Sequence, residues 1–196
     1  MKKTSTIAAS FLALGFAIGS FIFLAIEPRM GFSEPSDFFD PEKVLSAAES
    51  TVWLVGSLIF LGFGLALAYL ALPSDDRNLR ASGLIAAVGF FFLGSLGIVL
   101  GQLAAFIPDR NHLEIAVLGF LPVRLAALRT TALALGVFAW RTTRDPGPGE
   151  TGPAAWRGLG YLVLAASVVF VFVLIPVPLV FTIWAGWFAF RQARSA

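Results

Sequence analysis

The sequence predicts an all-α fold: a polytopic bundle of transmembrane helices, with six spans favoured over five. Three observations carry this. The 196 residues are 58% hydrophobic and only 13% charged, with a mean hydropathy of +0.84. A soluble domain is nearer ~45–50% apolar and ~25% charged. The apolar residues are gathered into long runs parted by short polar stretches, and roughly 20 apolar residues are what a bilayer crossing needs. Finally, the basic residues fall preferentially on one side of the topology that these runs imply. The whole chain, 1–196, reads as one integral membrane domain.

The first run, 4–26, is entered through Lys2 and Lys3. Its front resembles a secretory signal, but the run is longer than an h-region and no A-x-A-like site follows it. A retained first helix is expected. Next comes an outer acidic loop, 27–50, in which Glu27, Glu34, Asp37, Asp40, Glu42 and Glu49 face Arg29 and Lys43. Asp40-Pro41-Glu42 is a helix-start signal: a capping acid, a proline suited to the first helical position, and an acid at the positive end of the dipole.

The second span, 51–72, is stopped by Pro73, and a polar turn with Asp75, Asp76, Arg77 and Arg80 follows. That turn reads as solvated. The third span, 83–107, is stopped by Pro108 and contains the G-x-x-x-G pair Gly97/Gly101; the first span has another, Gly15/Gly19. Such pairs let helix backbones approach closely, and packing within the bundle is the expected use. A short outer loop carries His112, read as a surface histidine. The fourth span is placed at 115–140, and an inner flexible loop, 141–157, contains the Gly/Pro-rich stretch Asp145–Pro153.

The last apolar run, 158–190, would be roughly 50 Å long as one helix at 1.5 Å per residue, against a hydrocarbon core of about 30 Å. Pro176 and Pro178 sit in its middle, where each removes a backbone donor and clashes with the preceding turn. One long kinked helix and a hairpin of two spans, 158–175 and 177–190, are the alternatives. Orientation favours the hairpin. With both termini cytoplasmic, Lys2, Lys3, Arg77, Arg80, Arg141, Arg144, Arg157, Arg191 and Arg194 lie inside, and Arg29, Lys43 and Arg110 outside. A single last helix would move two of the nine outward. Trp140, Trp184 and Trp187, close before basic residues, resemble interfacial anchors.

The composition excludes much chemistry. There is no cysteine, hence no disulfide, thiolate metal site or cysteine nucleophile, and the one histidine rules out a multi-His metal centre. A net charge of +2 is too small to imply nucleic acid. Ser95 within Gly94–Gly97 has no membrane histidine to activate it. No catalytic constellation, metal set or cofactor motif is found.

Arg124 and Arg129 need a special account, because they fall inside the fourth span. Arginine keeps its charge, and at a helix centre it costs at least ~2.5 kcal/mol. No Asp or Glu lies in the other apolar runs. Either the side chains snorkel to headgroups, the simpler reading for Arg124, or they meet a buried anion, a lipid or a partner's carboxylate, the stronger reading for Arg129. Neutral groups within the spans are Gln102, Ser95, Ser57, Thr130 and Thr131, and Pro122, just before Arg124, is placed to loosen the helix and free a carbonyl.

Trp140-Arg141, then Pro153, Trp156, Gly158 and Gly160, then Trp184, Gly186 and Arg191 form a pattern over about 125–194. In it the C-terminal third resembles uncharacterised bacterial polytopic membrane proteins. That resemblance implies a multi-helix bundle in a bacterial inner membrane and no activity. The function expected is that of a non-enzymatic structural or accessory subunit of the cell membrane, binding lipid, a partner membrane protein or a second copy of itself. The alternative is a small-solute or anion carrier built on Arg124 and Arg129.

Overall fold

A computed structural model describes residues 2–26, 42–44, 51–106, 110–144, 154–173 and 178–194. Six long helices are present among them: α1 (Lys2–Ile26), α2 (Thr51–Ala71), α3 (Arg77–Phe106), α4 (Arg110–Arg144), α5 (Ala154–Val173) and α6 (Pro178–Arg194). No described residue is in a strand. Parts of α2, α3 and α4 (Trp53–Ala71, Arg77–Leu103 and Val117–Arg144) are long and apolar enough to cross a membrane, and α5 holds a shorter apolar stretch, Ala155–Val171.

Each helix packs on its neighbour in sequence, and α6 returns to α1, so the bundle closes as a ring. The register is antiparallel around it. Gly83 meets Ala71 and Gly94 meets Ser57 between α3 and α2; Gly83 also meets Phe138 and Gly89 meets Thr131 between α3 and α4; Gly160 meets Thr143 and Gly136 meets Ser167 between α5 and α4. On α1 and α6, the Ser5 hydroxyl donates to Gln192 Oε1 at 3.0 Å, and Ser20 lies 3.2 Å from Thr182. The beginning of α1 therefore lies beside the end of α6. The last apolar run is two helices rather than one: α5 stops at Val173, α6 starts at Pro178, and Trp156 near the start of α5 lies 5.4 Å from Trp187 near the end of α6. Pro176, and Pro178 at the start of α6, have no backbone N–H to give to a continuous ladder.

The core is aromatic. Phe63 takes Phe16, Phe60 and Phe90 around it, and Phe138 packs edge-on to Trp184 and Phe188. Leu12, Leu67, Leu135 and Val163 complete it. A second, smaller cluster of Val44, Leu96, Leu100 and Val117 lies toward the opposite end. The outside is also apolar: Ile7, Leu14, Leu65, Val88, Ile115 and Leu162 are each at least half exposed, a surface suited to lipid rather than water.

Several expected boundaries move. Helix α3 begins at Arg77, not 83, because Asp76 accepts the N–H groups of Asn78 and Leu79 at 2.8 and 3.3 Å and so caps it. The expected inner loop 141–157 is shortened at both sides, with Arg141–Arg144 helical in α4 and Ala154–Arg157 in α5. The expected outer loop around His112 is helical backbone from Arg110 onward. Polar residues at these ends carry the helices past the apolar runs. Pro122 does not break α4. Glu42–Val44 is helical, just after Asp40; the rest of the acidic segment 27–50 and the loop core 145–153 lie outside the described residues.

Candidate functional site

Four glycines face hydroxyls on neighbouring helices. Gly89 meets Thr131, Gly97 meets Ser57, Gly136 meets Ser167 and Gly160 meets Thr143. Each hydroxyl donates to a carbonyl of its own helix: Thr131 to Ala127 at 2.6 Å, Ser57 to Trp53 at 2.8 Å, Ser167 to Val163 at 2.8 Å and Thr143 to Trp140 at 2.7 Å. The proton is thereby satisfied within the helix, and the oxygen is left against the glycine Cα–H of the next one. Thr131 and Ser57, two of the neutral groups available to the arginines by sequence, are thus engaged in helix packing. Thr130 is exposed and bonds Ala126; Gln102 and Ser95 are exposed on α3. Of the two G-x-x-x-G pairs, Gly15 lies against Phe63 and Gly97 against Ser57, whereas a side chain at Gly19 would meet no described atom within 4 Å. Gly101 is partly buried.

Arg124 and Arg129 diverge. Arg124 stands on the α4 stripe of Val117, Leu121, Leu128, Thr131 and Leu135, spaced at 3 and 4 residues, that faces the interior. Its guanidinium lies 4.6 Å from the Trp53 ring centroid, inside the ~6 Å reach of a cation–π contact, worth roughly 0.5–2 kcal/mol. Trp53 is itself held, since its indole N–H donates to the Gly97 carbonyl at 2.9 Å. Trp53, Gly97 and Arg124 therefore tie α2, α3 and α4 together. Sequence reasoning missed this contact, which depends on inter-helix register. Arg129 lies on another stripe, one that includes Gly136 and Thr143 and faces α5. Its Nε is buried with no hydrogen-bond partner among the described residues. Gly136 lies level with Ser167, so two turns outward Arg129 is level with the C-terminal end of α5.

The other polar concentration is at the end of the bundle shared by both termini. Arg141 Nη1 meets Asp76 Oδ2 at 2.8 Å. Thr142 accepts from the Trp184 indole at 3.1 Å through its hydroxyl and from Arg191 at 2.9 Å through its carbonyl. Trp184 is fully buried, so it is a core residue and not the interfacial anchor that its position before Arg191 implied. Trp187, partly buried, stacks near Trp156. Trp140 is also partly buried and stands 6.2 Å from Tyr161, with Arg144 5.3 Å from its ring.

The Asp76 carboxyl is held below its usual value of 3.8, chiefly by the N–H of Asn78 and also by Leu79 and Arg141, against opposing desolvation. A carboxylate with a lowered folded pKa stabilises the fold above its unfolded pKa, and that stabilisation is lost as pH falls through the folded one. The melting temperature of the detergent-solubilised protein is therefore expected to exceed that of Asp76→Asn at neutral pH and to converge with it below about pH 3.8. A gap that stays constant from neutral to acid would show that the charge of Asp76 contributes nothing.

No group of three or more His, Cys, Asp or Glu able to hold a metal occurs among the described residues. No protein-family model matches the chain, and no solved structure matches it significantly.

Proposed function

We propose that this chain is a six-span integral protein of a bacterial cell membrane, both termini cytoplasmic, serving as a non-enzymatic structural or accessory subunit. Through α4 it engages a partner protein or a lipid. The observation that carries the reading is Arg129: a permanent charge near the middle of α4 whose Nε is buried with no hydrogen-bond partner among the described residues. A side chain kept there against a cost of a few kcal/mol calls for a compensating group, which in this reading is an anion brought by a lipid or a partner. Support for the topology comes from the antiparallel register, which gathers Lys3, Arg77, Arg80, Arg141, Arg144, Arg157, Arg191 and Arg194 at one end of the bundle, the arrangement the positive-inside rule favours. The resemblance of the C-terminal third to bacterial polytopic proteins fits the same reading.

Arg124 on an interior stripe favours the anion-carrier alternative. Against it stand Phe63, Phe90, Phe138 and Trp184, which fill the interior toward the basic end and leave transport without an evident polar route. Proteoliposomes containing the protein are expected to show no chloride or phosphate flux above empty vesicles; an Arg124-dependent flux would establish the carrier.

The topology has its own test. A C-terminal fusion to a reporter active only in the cytoplasm should be active, and an exoplasmic reporter at the same place should be silent. The reverse pattern would mean an odd number of crossings. The functional reading is tested by purification in mild detergent, where an associated protein or lipid is expected to travel with the chain.

A further inference from the structure

We propose that the cytoplasmic ends of α4 and α5 form a site for one anionic phospholipid, with Arg144 and Arg157 on its phosphate and the Trp140–Tyr161 pair at its glycerol level. This rests on the membrane-spanning reading above. The two helices are antiparallel, with Gly160 against Thr143 and the Trp140 and Tyr161 rings 6.2 Å apart. One turn further toward the same end are Arg144, four residues after Trp140, and Arg157, four before Tyr161. The register therefore brings two exposed guanidiniums level with each other. Neither has a carboxylate partner among the described residues, and Asp76 is taken by Arg141. Two guanidiniums held side by side can each donate to one of the two non-bridging oxygens of a single phosphodiester. The Trp140 indole N–H is buried with no hydrogen-bond partner among the described residues. On the opposite side of the aromatic pair the exposed residues of these helices include the apolar Leu133, Leu162, Val168 and Val169. Guanidiniums at the rim, rings at the interface and a greasy track below match a headgroup, a glycerol backbone and acyl chains in order.

The test is lipid binding by native mass spectrometry on the full chain in detergent, with phosphatidylglycerol and phosphatidylcholine as probes. The parent should prefer phosphatidylglycerol. The double variant Arg144→Gln/Arg157→Gln should lose that preference, with affinity falling about thirty-fold for two interfacial charges. Arg77→Gln/Arg80→Gln, which removes two charges from α3 at the same end, should change it less than about threefold. Equal losses in the two doubles would replace the site with diffuse attraction to a basic rim and overturn the proposal. So would a parent without lipid preference, or one whose phosphatidylglycerol is displaced by millimolar inorganic phosphate. The reporter fusion separates a failure of this site from a failure of the membrane topology. As a folding control, both doubles should melt within a few degrees of the parent; if the α4–α5 double melts lower, Trp140→Phe with brominated-chain phosphatidylglycerol locates the lipid by the fall in quenching relative to the parent, and an unchanged quenched fraction overturns the site.

Discussion

Gly94→Ala is expected to loosen the contact between α2 and α3 and to lower stability by roughly 1–3 kcal/mol, the usual penalty for overpacking. A Cβ at Gly94 would stand 2.7 Å from the Ser57 carbonyl oxygen and 2.9 Å from Leu61 Cγ. A side chain can rotate away, but the Ser57 oxygen is part of the α2 backbone and is held by the helix. Gly64 shows the reciprocal arrangement, with a Cβ there 2.9 Å from the Ala87 carbonyl oxygen of α3. The two backbones touch directly, a geometry open only to glycine. Gly56, on the same α2, provides the control, since a Cβ there meets no described atom within 4 Å. Gly56→Ala should be neutral or mildly stabilising, because alanine is the better helix former by about 1 kcal/mol. Thermal melts in one detergent compare the three proteins. Equal melting temperatures for Gly94→Ala and Gly56→Ala would mean that α2 and α3 do not approach as described.

Which glycines matter was only partly legible in the sequence. The i, i+4 pairs pointed to Gly15, Gly19, Gly97 and Gly101, and Gly15 and Gly97 do sit in tight contacts. Gly64, Gly89, Gly94, Gly136 and Gly160 are just as tightly placed and were not singled out as contact sites, because what selects them is the residue opposite on another helix. The same limit hid the Trp53–Arg124 stacking and the role of Thr142. By contrast, the helical class and the break at Pro176/Pro178 were legible, since each follows from local chemistry: apolar run length and missing backbone donors. The helical extensions of α3, α4 and α5 beyond the expected spans were not legible, because hydropathy marks where lipid would stop, while hydrogen bonds such as those from Asn78 and Leu79 to Asp76 mark where the helix starts.

Arg129→Leu is expected to abolish the association proposed for the native chain while leaving insertion intact. Leucine is favoured over arginine at a helix centre by about 3 kcal/mol on insertion scales, so yield in the membrane fraction should hold or rise. The native arginine persists despite that difference, with its Nε buried and unpartnered among the described residues. Two kinds of compensation are open to it. One is within the chain: Arg129 is level with the end of α5, where terminal carbonyls carry partial negative charge, and Pro176 has no N–H to give the carbonyl four residues before it. The other is an anion brought by a lipid or a partner. The variant separates them. Loss of the α5 contact alone would lower the melting temperature and leave the copurifying lipids and proteins unchanged. Loss of an external anion would remove a species from the copurifying set, with a melting temperature unchanged or raised once that species is stripped from both proteins. Arg129→Lys sharpens the comparison, because lysine keeps the charge but loses the planar, multi-donor fork. A lipid phosphate should tolerate it in part, while a bidentate carboxylate partner should not. If Arg129→Leu retains the same lipids and proteins at the parent's yield, the arginine serves α5 or the headgroups, and the accessory-subunit reading loses the observation it rests on.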